Sequence, residues 1–312
     1  MFLLRKPILA LSTSGRVRNM STRLPATRSV VDRFVAGETA ESAVATVAQL
    51  RAAGLQVTMD HLGETTTDTA RADATVAAYL ELIDALGAAG LAGGAELSVK
   101  LSAVGQALTS TDGSAYALAG ACRIADAAYR AGARMTLDME DHTTVDSTLD
   151  VLRSLRQDHP DLGVAVQAML LRTPADLAEL TTPGSRVRLV KGAYDEPGEV
   201  AFVAPQQIDL AYVRALKLLM AGQGYPMIGS HDPRMIAIAE RLAADNGRAP
   251  ESYEHQFLYG IRTDEQQRLA AEGKTVRVYV PYGSDWYGYF TRRLAERPAN
   301  LGFFLRALLS RG

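Results

Sequence analysis

The feature that most constrains the fold is a repeated alternation of short β-branched runs with longer Ala- and Leu-rich amphipathic segments, from about residue 30 onward. The runs predict eight strands: Gln56–Asp60, Glu96–Leu101, Arg134–Met139, Gly163–Met169, Arg186–Lys191, Met227–Ser230, Glu254–Leu258 and Val276–Val280. The intervening segments predict helices, including Ala70–Ala88, Ser114–Ala131, Thr144–Arg156, Pro205–Ala221, Pro233–Ala244 and Thr263–Glu272. In a chain of 312 residues this alternation predicts an α/β fold, the (β/α)8 or TIM-type barrel.

The composition narrows the class of protein further. Apolar residues make up 47% and charged residues 22%, and the net charge of -2 argues against nucleic acid as a partner. The single cysteine, Cys122, excludes an internal disulfide and indicates a reducing cytoplasm. No run of 18 apolar residues predicts a transmembrane helix.

We expect residues 1–28 to be a flexible leader, because their polar, basic stretch has no periodicity. Residues 29–312 show no break in composition and are expected to form a single barrel domain. The amphipathic segment Leu301–Leu309 predicts a short terminal helix that packs on the barrel.

Polar residues fall at or near the carboxyl ends of the predicted strands, where barrel enzymes carry their active sites. They are Lys100, Asp138, Gln167, Arg188, Lys191, Ser230, His231, Gln256 and Tyr279. Gln167 lies within an apolar run, so its amide must find a hydrogen-bond partner if it is buried. Gly192 predicts a positive φ or a close approach of the backbone to a ligand.

A second motif lies near the end of the chain, in Tyr289-Phe290-Thr291-Arg292-Arg293-Leu294-Ala295-Glu296. On a helix, Tyr289, Arg292, Arg293 and Glu296 share one face. Two guanidinium groups side by side suit a carboxylate or phosphate, so this face predicts a receptor for a small anion.

The polar residues at the strand ends allow three other interpretations. The cluster Asp138–His142 contains divalent-metal ligands, but adjacent carboxylates diverge, and we expect no metal there. Lys100 or Lys191 can serve as the Schiff-base nucleophile of a barrel lyase or aldolase. A barrel that binds without catalysing is disfavoured by the charged strand ends, since burying unpaired charge is costly. Neither GxGxxG nor GxxxxGK[ST] occurs.

The order of five motifs resembles the proline dehydrogenase family, including the proline dehydrogenase half of bifunctional proline utilisation proteins. The motifs are Leu97-Ser98-Val99-Lys100-Leu101-Ser102, Leu137-Asp138-Met139-Glu140, Arg188-Leu189-Val190-Lys191-Gly192-Ala193-Tyr194, Arg277-Val278-Tyr279-Val280-Pro281-Tyr282-Gly283 and Tyr289-x-x-Arg292-Arg293-x-x-Glu296. The chain is too short for an aldehyde dehydrogenase half and therefore resembles a monofunctional enzyme.

The resemblance implies a distorted barrel with extra N-terminal helices and a C-terminal helix near the mouth. It implies non-covalent FAD, oxidation of L-proline to Δ1-pyrroline-5-carboxylate by hydride transfer to flavin N5, and electron transfer to quinone. This reaction is the first step of proline catabolism. It further implies a cytoplasmic protein with peripheral contact to the inner face of the membrane, and a separate pyrroline-5-carboxylate dehydrogenase.

The resemblance also implies roles for individual residues. Asp138 and Arg188 are expected in catalysis, and the substrate-binding set is Lys100, Ala193, Leu258, Tyr279, Tyr289, Arg292 and Arg293. The flavin-binding set is Gln167, Arg188, Val190, Lys191, Gly192, Ala193, Ser230, His231, Gln256, Glu296 and Phe303. Glu64 resembles the acidic partner that closes a gate by pairing with Arg292.

Overall fold

The computed structural model describes residues 31–63, 65–287 and 289. Eight parallel strands close into a barrel in the order of the chain. They are β1 (Gln56–His61), β2 (Ala95–Val99), β3 (Arg134–Leu137), β4 (Gly163–Gln167), β5 (Arg186–Val190), β6 (Tyr225–Gly229), β7 (Glu254–Leu258) and β8 (Val276–Tyr282). The predicted barrel and all eight strands are confirmed: β7 has the predicted ends, and each other strand differs by one or two residues at one or both ends.

Helices surround the strands. Within the described residues they are α1 (Ala40–Ala52), α2 (Thr69–Ala88), α3 (Gly113–Arg130), α4 (Val145–Leu155), α5 (Thr173–Leu180), α6 (Pro205–Ala221), α7 (Pro233–Asp245) and α8 (Thr263–Ala271). The six predicted helices are confirmed, and α1 is an extra N-terminal helix before β1. Asp68, Asp112 and Asp232 accept hydrogen bonds from backbone N–H groups at the starts of α2, α3 and α7, as N-caps do.

The predicted strands β2 to β4 extend too far at their carboxyl ends. After Val99 the chain turns into a short 3-10 helix, Leu101–Val104, which begins with a hydrogen bond from the Ala103 N–H to the Lys100 carbonyl. Apolar residues continue beyond the end of β2 because Leu101 and Val104 are buried under helices rather than in the sheet. The apolar run therefore predicts correctly that residues 100–104 are largely buried, but it does not show that the strand ends at Val99.

The alternation of side chains along each strand separates two environments. Outward residues such as Met59, Leu97 and Leu189 pack under the helices and form the apolar core. Inward residues are largely polar: Glu96, Arg186, Glu254 and Arg277 are all buried inside the barrel. Arg186 contacts Glu96 at 3.1 Å, and Arg277 Nε donates to Glu254 Oε1 at 2.8 Å, so the buried charges are paired.

Several predictions lie outside the described residues, namely the leader 1–28, the helix Leu301–Leu309 and the C-terminal helix near the mouth. In the part of the chain that the structure describes, no helix is both long enough and apolar enough to cross a bilayer.

Candidate active site

Four predicted side chains from separate strands meet at the mouth of the barrel. The Tyr279 hydroxyl donates to Asp138 Oδ2 at 2.8 Å, and Arg188 Nη1 donates to Asp138 Oδ1 at 2.7 Å. Lys100 Nζ lies 3.4 Å from Asp138 Oδ2 and 3.4 Å from the Tyr279 hydroxyl. Asp138 is therefore the acceptor shared by the other three residues.

Asp60 also belongs to this group, although the sequence analysis did not select it. It lies on β1, is 1% exposed, and accepts a hydrogen bond from Lys100 Nζ at 2.6 Å. One signal for it exists in the sequence. Thr58 and Asp60 alternate with Val57 and Met59, so the polar pair must face the barrel interior when the apolar pair faces the helices.

The charges of the group support one another. Burial lowers the pKa of Lys100, but the carboxylates of Asp60 and Asp138 outweigh burial and raise that pKa above its usual range. Burial raises the pKa of Asp138, but Lys100 and Arg188 outweigh burial and leave the pKa below its usual value. At Asp60 burial prevails over the attraction of Lys100, and its pKa is raised. A Schiff-base nucleophile needs a lysine with a lowered pKa, so Lys100 does not fit the lyase alternative.

All three nitrogens of the Arg188 guanidinium group donate hydrogen bonds. It is 4% exposed, and besides Asp138 it donates to Gln256 Oε1 at 2.7 Å, Ser98 Oγ at 2.7 Å and Glu96 Oε1 at 2.9 Å. The planar fork of arginine matches this set of acceptors. The contacts fix a positive charge beneath the mouth of the barrel.

The ends of β4 and β5 carry the predicted residues Gln167, Val190, Lys191, Gly192 and Ala193. Gln167 pairs with Val190 in the sheet, and its Nε2 donates to the Glu140 backbone carbonyl at 2.7 Å. The buried amide is thus satisfied, as the sequence required. Gly192 has φ +111°, which confirms the predicted positive φ.

Lys191 lies between two carboxylates that the sequence analysis missed. Its Nζ contacts Asp209 of α6 and lies 3.0 Å from Asp232 Oδ2 at the start of α7. Arg234 bridges the same two carboxylates at 2.7 Å and 2.6 Å. An ammonium group paired in this way is not in the apolar pocket that a Schiff-base lysine requires.

The ends of β6 and β7 are tied together by predicted residues. His231 Nε2 accepts a hydrogen bond from the Leu258 N–H at 2.9 Å, so this imidazole joins the two strands. Ser230 Oγ accepts from the Asp232 N–H at 3.2 Å. Gln256 donates to Glu254 Oε1 at 2.6 Å while it accepts from Arg188. Each of these side chains has a defined partner.

The acidic residues after β3 point in different directions. Asp138 serves Arg188 and Tyr279, Glu140 accepts from Ser102, and Asp141 accepts from the Thr143 N–H at 2.9 Å. Among the described residues no three His, Cys, Asp or Glu side chains are placed to hold a metal ion.

Comparison with known families decides the class of this site. Residues 43–306 match the family model described as Proline dehydrogenase. The chain belongs to the proline dehydrogenase family. It is accordingly an oxidoreductase, and the lyase and non-catalytic alternatives are wrong.

Similar proteins of comparable length carry the family name. Proline dehydrogenase 1 of Bacillus subtilis is 38% identical over 285 residues, which cover 91% of this chain and 92% of that protein. Proline dehydrogenase of Deinococcus radiodurans is 38% identical over 309 residues, 98% of each chain. The bifunctional protein PutA of Escherichia coli is 29% identical over 90% of this chain, which spans 24% of the length of PutA.

Solved structures agree on the fold. Proline utilization A from Bdellovibrio bacteriovorus, inactivated by N-propargylglycine, superposes with a TM-score of 0.77 at 23% identity. The match covers 86% of this chain and 32% of that one. The likeness supports the barrel fold of this chain.

Five residues with roles implied by the proline dehydrogenase resemblance lie outside the described residues: Glu64, Arg292, Arg293, Glu296 and Phe303. Tyr289, the first residue of that motif, is described and is 7% exposed. The structure therefore brings together the strand-end part of the predicted site.

Proposed function

We propose that this protein oxidises L-proline to Δ1-pyrroline-5-carboxylate with non-covalent FAD and passes the electrons to a quinone, as the first step of proline catabolism. The observation that carries the proposal is the cluster of Lys100, Asp138, Arg188 and Tyr279 in the mouth of a proline dehydrogenase family barrel. In the reaction the Cδ–H bond breaks with both electrons, the nitrogen gives up a proton, and a C=N double bond forms. The quinone takes up two electrons and two protons.

Proline is a zwitterion, and its carboxylate requires fixed positive charge. Lys100 supplies one such charge, held at the mouth by Asp60 and Asp138. Arg292 and Arg293 are proposed to supply two further positive charges, because the planar fork of donors on each guanidinium group suits a carboxylate. Tyr279, Tyr289 and Leu258 are proposed to wall the ring, with Ala193 beside it.

The residues on β4 to β7 have the chemistry that a flavin dinucleotide requires. Arg188 and Lys191 are cations, Gln167 and Gln256 are amides, and Ser230 and His231 add polar groups at the next strand end. Gly192 exposes backbone at a position of positive φ, and Val190, Ala193, Glu296 and Phe303 complete the proposed set. FAD, when bound, supplies the acceptor for the hydride. Arg188 then stabilises negative charge that develops beneath the mouth.

Asp138 is proposed to organise the site rather than to remove the proton from the amine. It already accepts from Arg188, Ser98 and Tyr279, and the neighbouring cations oppose its protonation. Its role is to orient Lys100 and Arg188 and to balance their charges. The positive charges of Lys100, Arg292 and Arg293 favour the neutral amine, and the hydride leaves from the adjacent Cδ.

The remaining parts of the proposal concern access and partners. Glu64 and Arg292 are proposed to pair and close the site over the substrate. The quinone acceptor implies peripheral contact with the inner face of the membrane from a cytoplasmic location. The product is proposed to pass to a separate pyrroline-5-carboxylate dehydrogenase.

Anaerobic mixing of the purified protein with L-proline tests the proposal. We expect the flavin absorbance to bleach with L-proline and to remain unchanged with D-proline at the same concentration. A yellow protein that stays oxidised with L-proline contradicts the proposed substrate. A colourless protein that does not take up FAD contradicts the proposed cofactor.

A further inference from the structure

Among the contacts of the Lys100 ammonium group, the hydrogen bond to Asp60 is the shortest. Asp60 pairs with Ser98 in the register of β1 and β2, and Lys100 lies two residues beyond Ser98, directly after the end of β2. The lysine side chain reaches across to Asp60 Oδ1 at 2.6 Å. The Asp60 side chain is 2% exposed and that of Lys100 is 22% exposed, so the carboxylate is buried and the lysine side chain is the more accessible member of the pair.

The ammonium group has three N–H donors. One is directed to Asp60, and a second lies toward Asp138 and the Tyr279 hydroxyl, each at 3.4 Å. Within the part of the chain that the structure describes, no other side chain forms a hydrogen bond or ion pair with the ammonium group, so one donor is left for a ligand in the mouth. Asp138 is the weaker anchor for Lys100, because it lies 3.4 Å from the ammonium nitrogen and its oxygens also accept from Arg188 at 2.7 Å and from Tyr279 at 2.8 Å.

We infer that Asp60 is a positioning residue, which fixes the Lys100 ammonium so that the substrate carboxylate meets one charged donor in one place. The inference rests on the proposed function, because it takes a carboxylate as the ligand of Lys100. Lysine has a flexible four-carbon stem, and an ammonium without its closest acceptor is free to sample several positions. Asp60 acts only through Lys100 and does not touch the substrate.

The same arrangement predicts an effect on pH dependence. The groups that face Lys100 are Asp60 on β1, Asp138 and Glu140 at the end of β3, and Tyr279 on β8; Arg188 of β5 acts through Asp138. The carboxylates keep Lys100 charged, whereas burial opposes its charge. Removing the charge of Asp60 therefore lowers the pH at which Lys100 loses its proton.

The experiment compares wild type with Asp60→Asn in the holoenzyme. Cyclopentanecarboxylate is the probe, since it keeps the carboxylate and ring of proline but has no amine to oxidise. We expect its dissociation constant and the KM for L-proline to rise about tenfold to a hundredfold in the variant, with a smaller change in kcat. The kcat/KM of the variant is expected to decline at a lower pH than that of wild type on the alkaline side.

Asp161→Asn is the matched control. Like Asp60, Asp161 accepts from a cationic side chain, Arg134 at 2.8 Å, and it also accepts from Tyr129 at 2.8 Å, but it precedes β4 at the amino end of the barrel. The control is expected to leave the dissociation constant, KM and pH profile at wild-type values. An equal loss of affinity in both variants would overturn the inference.

A double-mutant cycle with Lys100→Met separates positioning from a general structural effect. If Asp60 acts through Lys100, the double variant binds cyclopentanecarboxylate as weakly as Lys100→Met alone. The double variant also removes the buried charge that would be left unpaired, so the comparison holds even if Asp60→Asn alone does not fold. A further loss of affinity in the double variant, as large as in the wild-type background, overturns the inference.

Failure of the proposed function has a different signature. If L-proline does not reduce the wild-type flavin, the proposed reaction is wrong whatever the variants do. If L-proline reduces it and Asp60→Asn keeps the wild-type KM, probe affinity and pH profile, only the inference about Asp60 is wrong.

Discussion

The carboxylate of Glu140 accepts both hydrogen bonds that Ser102 can offer, from the backbone N–H at 3.0 Å and from the hydroxyl at 2.6 Å. Ser102 lies two residues beyond Lys100, and Glu140 lies two residues beyond Asp138. The pair therefore ties together the turns that follow the two site residues and holds Lys100 near Asp138.

Glu140→Ala is expected to lower the free energy of unfolding by about 1–3 kcal/mol, because it leaves the buried Ser102 N–H without its acceptor. The KM for proline should rise more than kcat falls, since Lys100 loses its support. Urea denaturation and steady-state kinetics measure both effects. Asp141→Ala is the control, because it removes the neighbouring carboxylate, which accepts from Thr143 within its own turn. Unchanged stability in Glu140→Ala would contradict the prediction.

Arg188→Lys is expected to keep a positive charge but to lose the fork that reaches Glu96, Ser98, Asp138 and Gln256 together. The rate of flavin reduction by proline should fall about a hundredfold or more, because the charge is no longer fixed in place. Anaerobic stopped-flow absorbance measures the rate. Arg134→Lys, at the start of β3, provides the same substitution away from the mouth and should retain the wild-type rate; equal rates in both variants would refute the role of Arg188.

The barrel and the strand-end residues of the site could be predicted from the sequence because both depend on local patterns. Alternating apolar positions located the strands, and the rule that sites lie at strand ends located Lys100, Asp138, Arg188 and Tyr279. Asp60 was missed because no motif marks its strand and its partner, Lys100, follows the next strand. Asp209 and Asp232 were missed for a similar reason: Asp209 lies on α6 and Asp232 caps the start of α7, and only the closed barrel brings them to Lys191.

Gly192→Ala is expected to destabilise the fold and to weaken FAD binding under the proposed function. The φ of +111° lies outside the left-handed region that non-glycine residues occupy, and an added Cβ would overlap the Met169 side chain. The cost should be about 1–3 kcal/mol of the free energy of unfolding.

Gly90→Ala is the matched control for Gly192→Ala. Gly90 has φ +69°, near the left-handed region, and an added Cβ there meets no atom within 4 Å. Thermal denaturation should show a smaller loss for Gly90→Ala than for Gly192→Ala, and FAD titration should show a loss only for the latter. Equal losses of stability and of FAD affinity in the two variants would contradict the prediction that the positive φ and the contact with Met169 make Gly192 necessary.

Glu96 is expected to make the free energy of unfolding depend on pH in the acidic range. Burial raises its pKa, but Arg277, Arg186 and Arg188 outweigh burial and lower that pKa from 4.5 to about 2. A carboxylate with a lowered pKa in the folded state stabilises above the unfolded value, and the contribution is lost as the pH falls through the folded value. Glu96→Gln should be less stable than wild type at neutral pH, with a difference that shrinks between pH 4.5 and 2 in urea denaturation. A constant difference across that window would refute the assignment.

The charged interior also restricts how the strands can pair during folding. A shift of β5 by one residue would turn Arg186 and Arg188 toward the apolar layer under the helices and leave Glu96 without its cations. In a barrel lined only by aliphatic side chains, such a slipped pairing exchanges one apolar residue for another. Here a one-residue slip of β2, β5, β7 or β8 turns a buried guanidinium or carboxylate toward an apolar layer, so the ion pairs that support the site also disfavour such misaligned barrels.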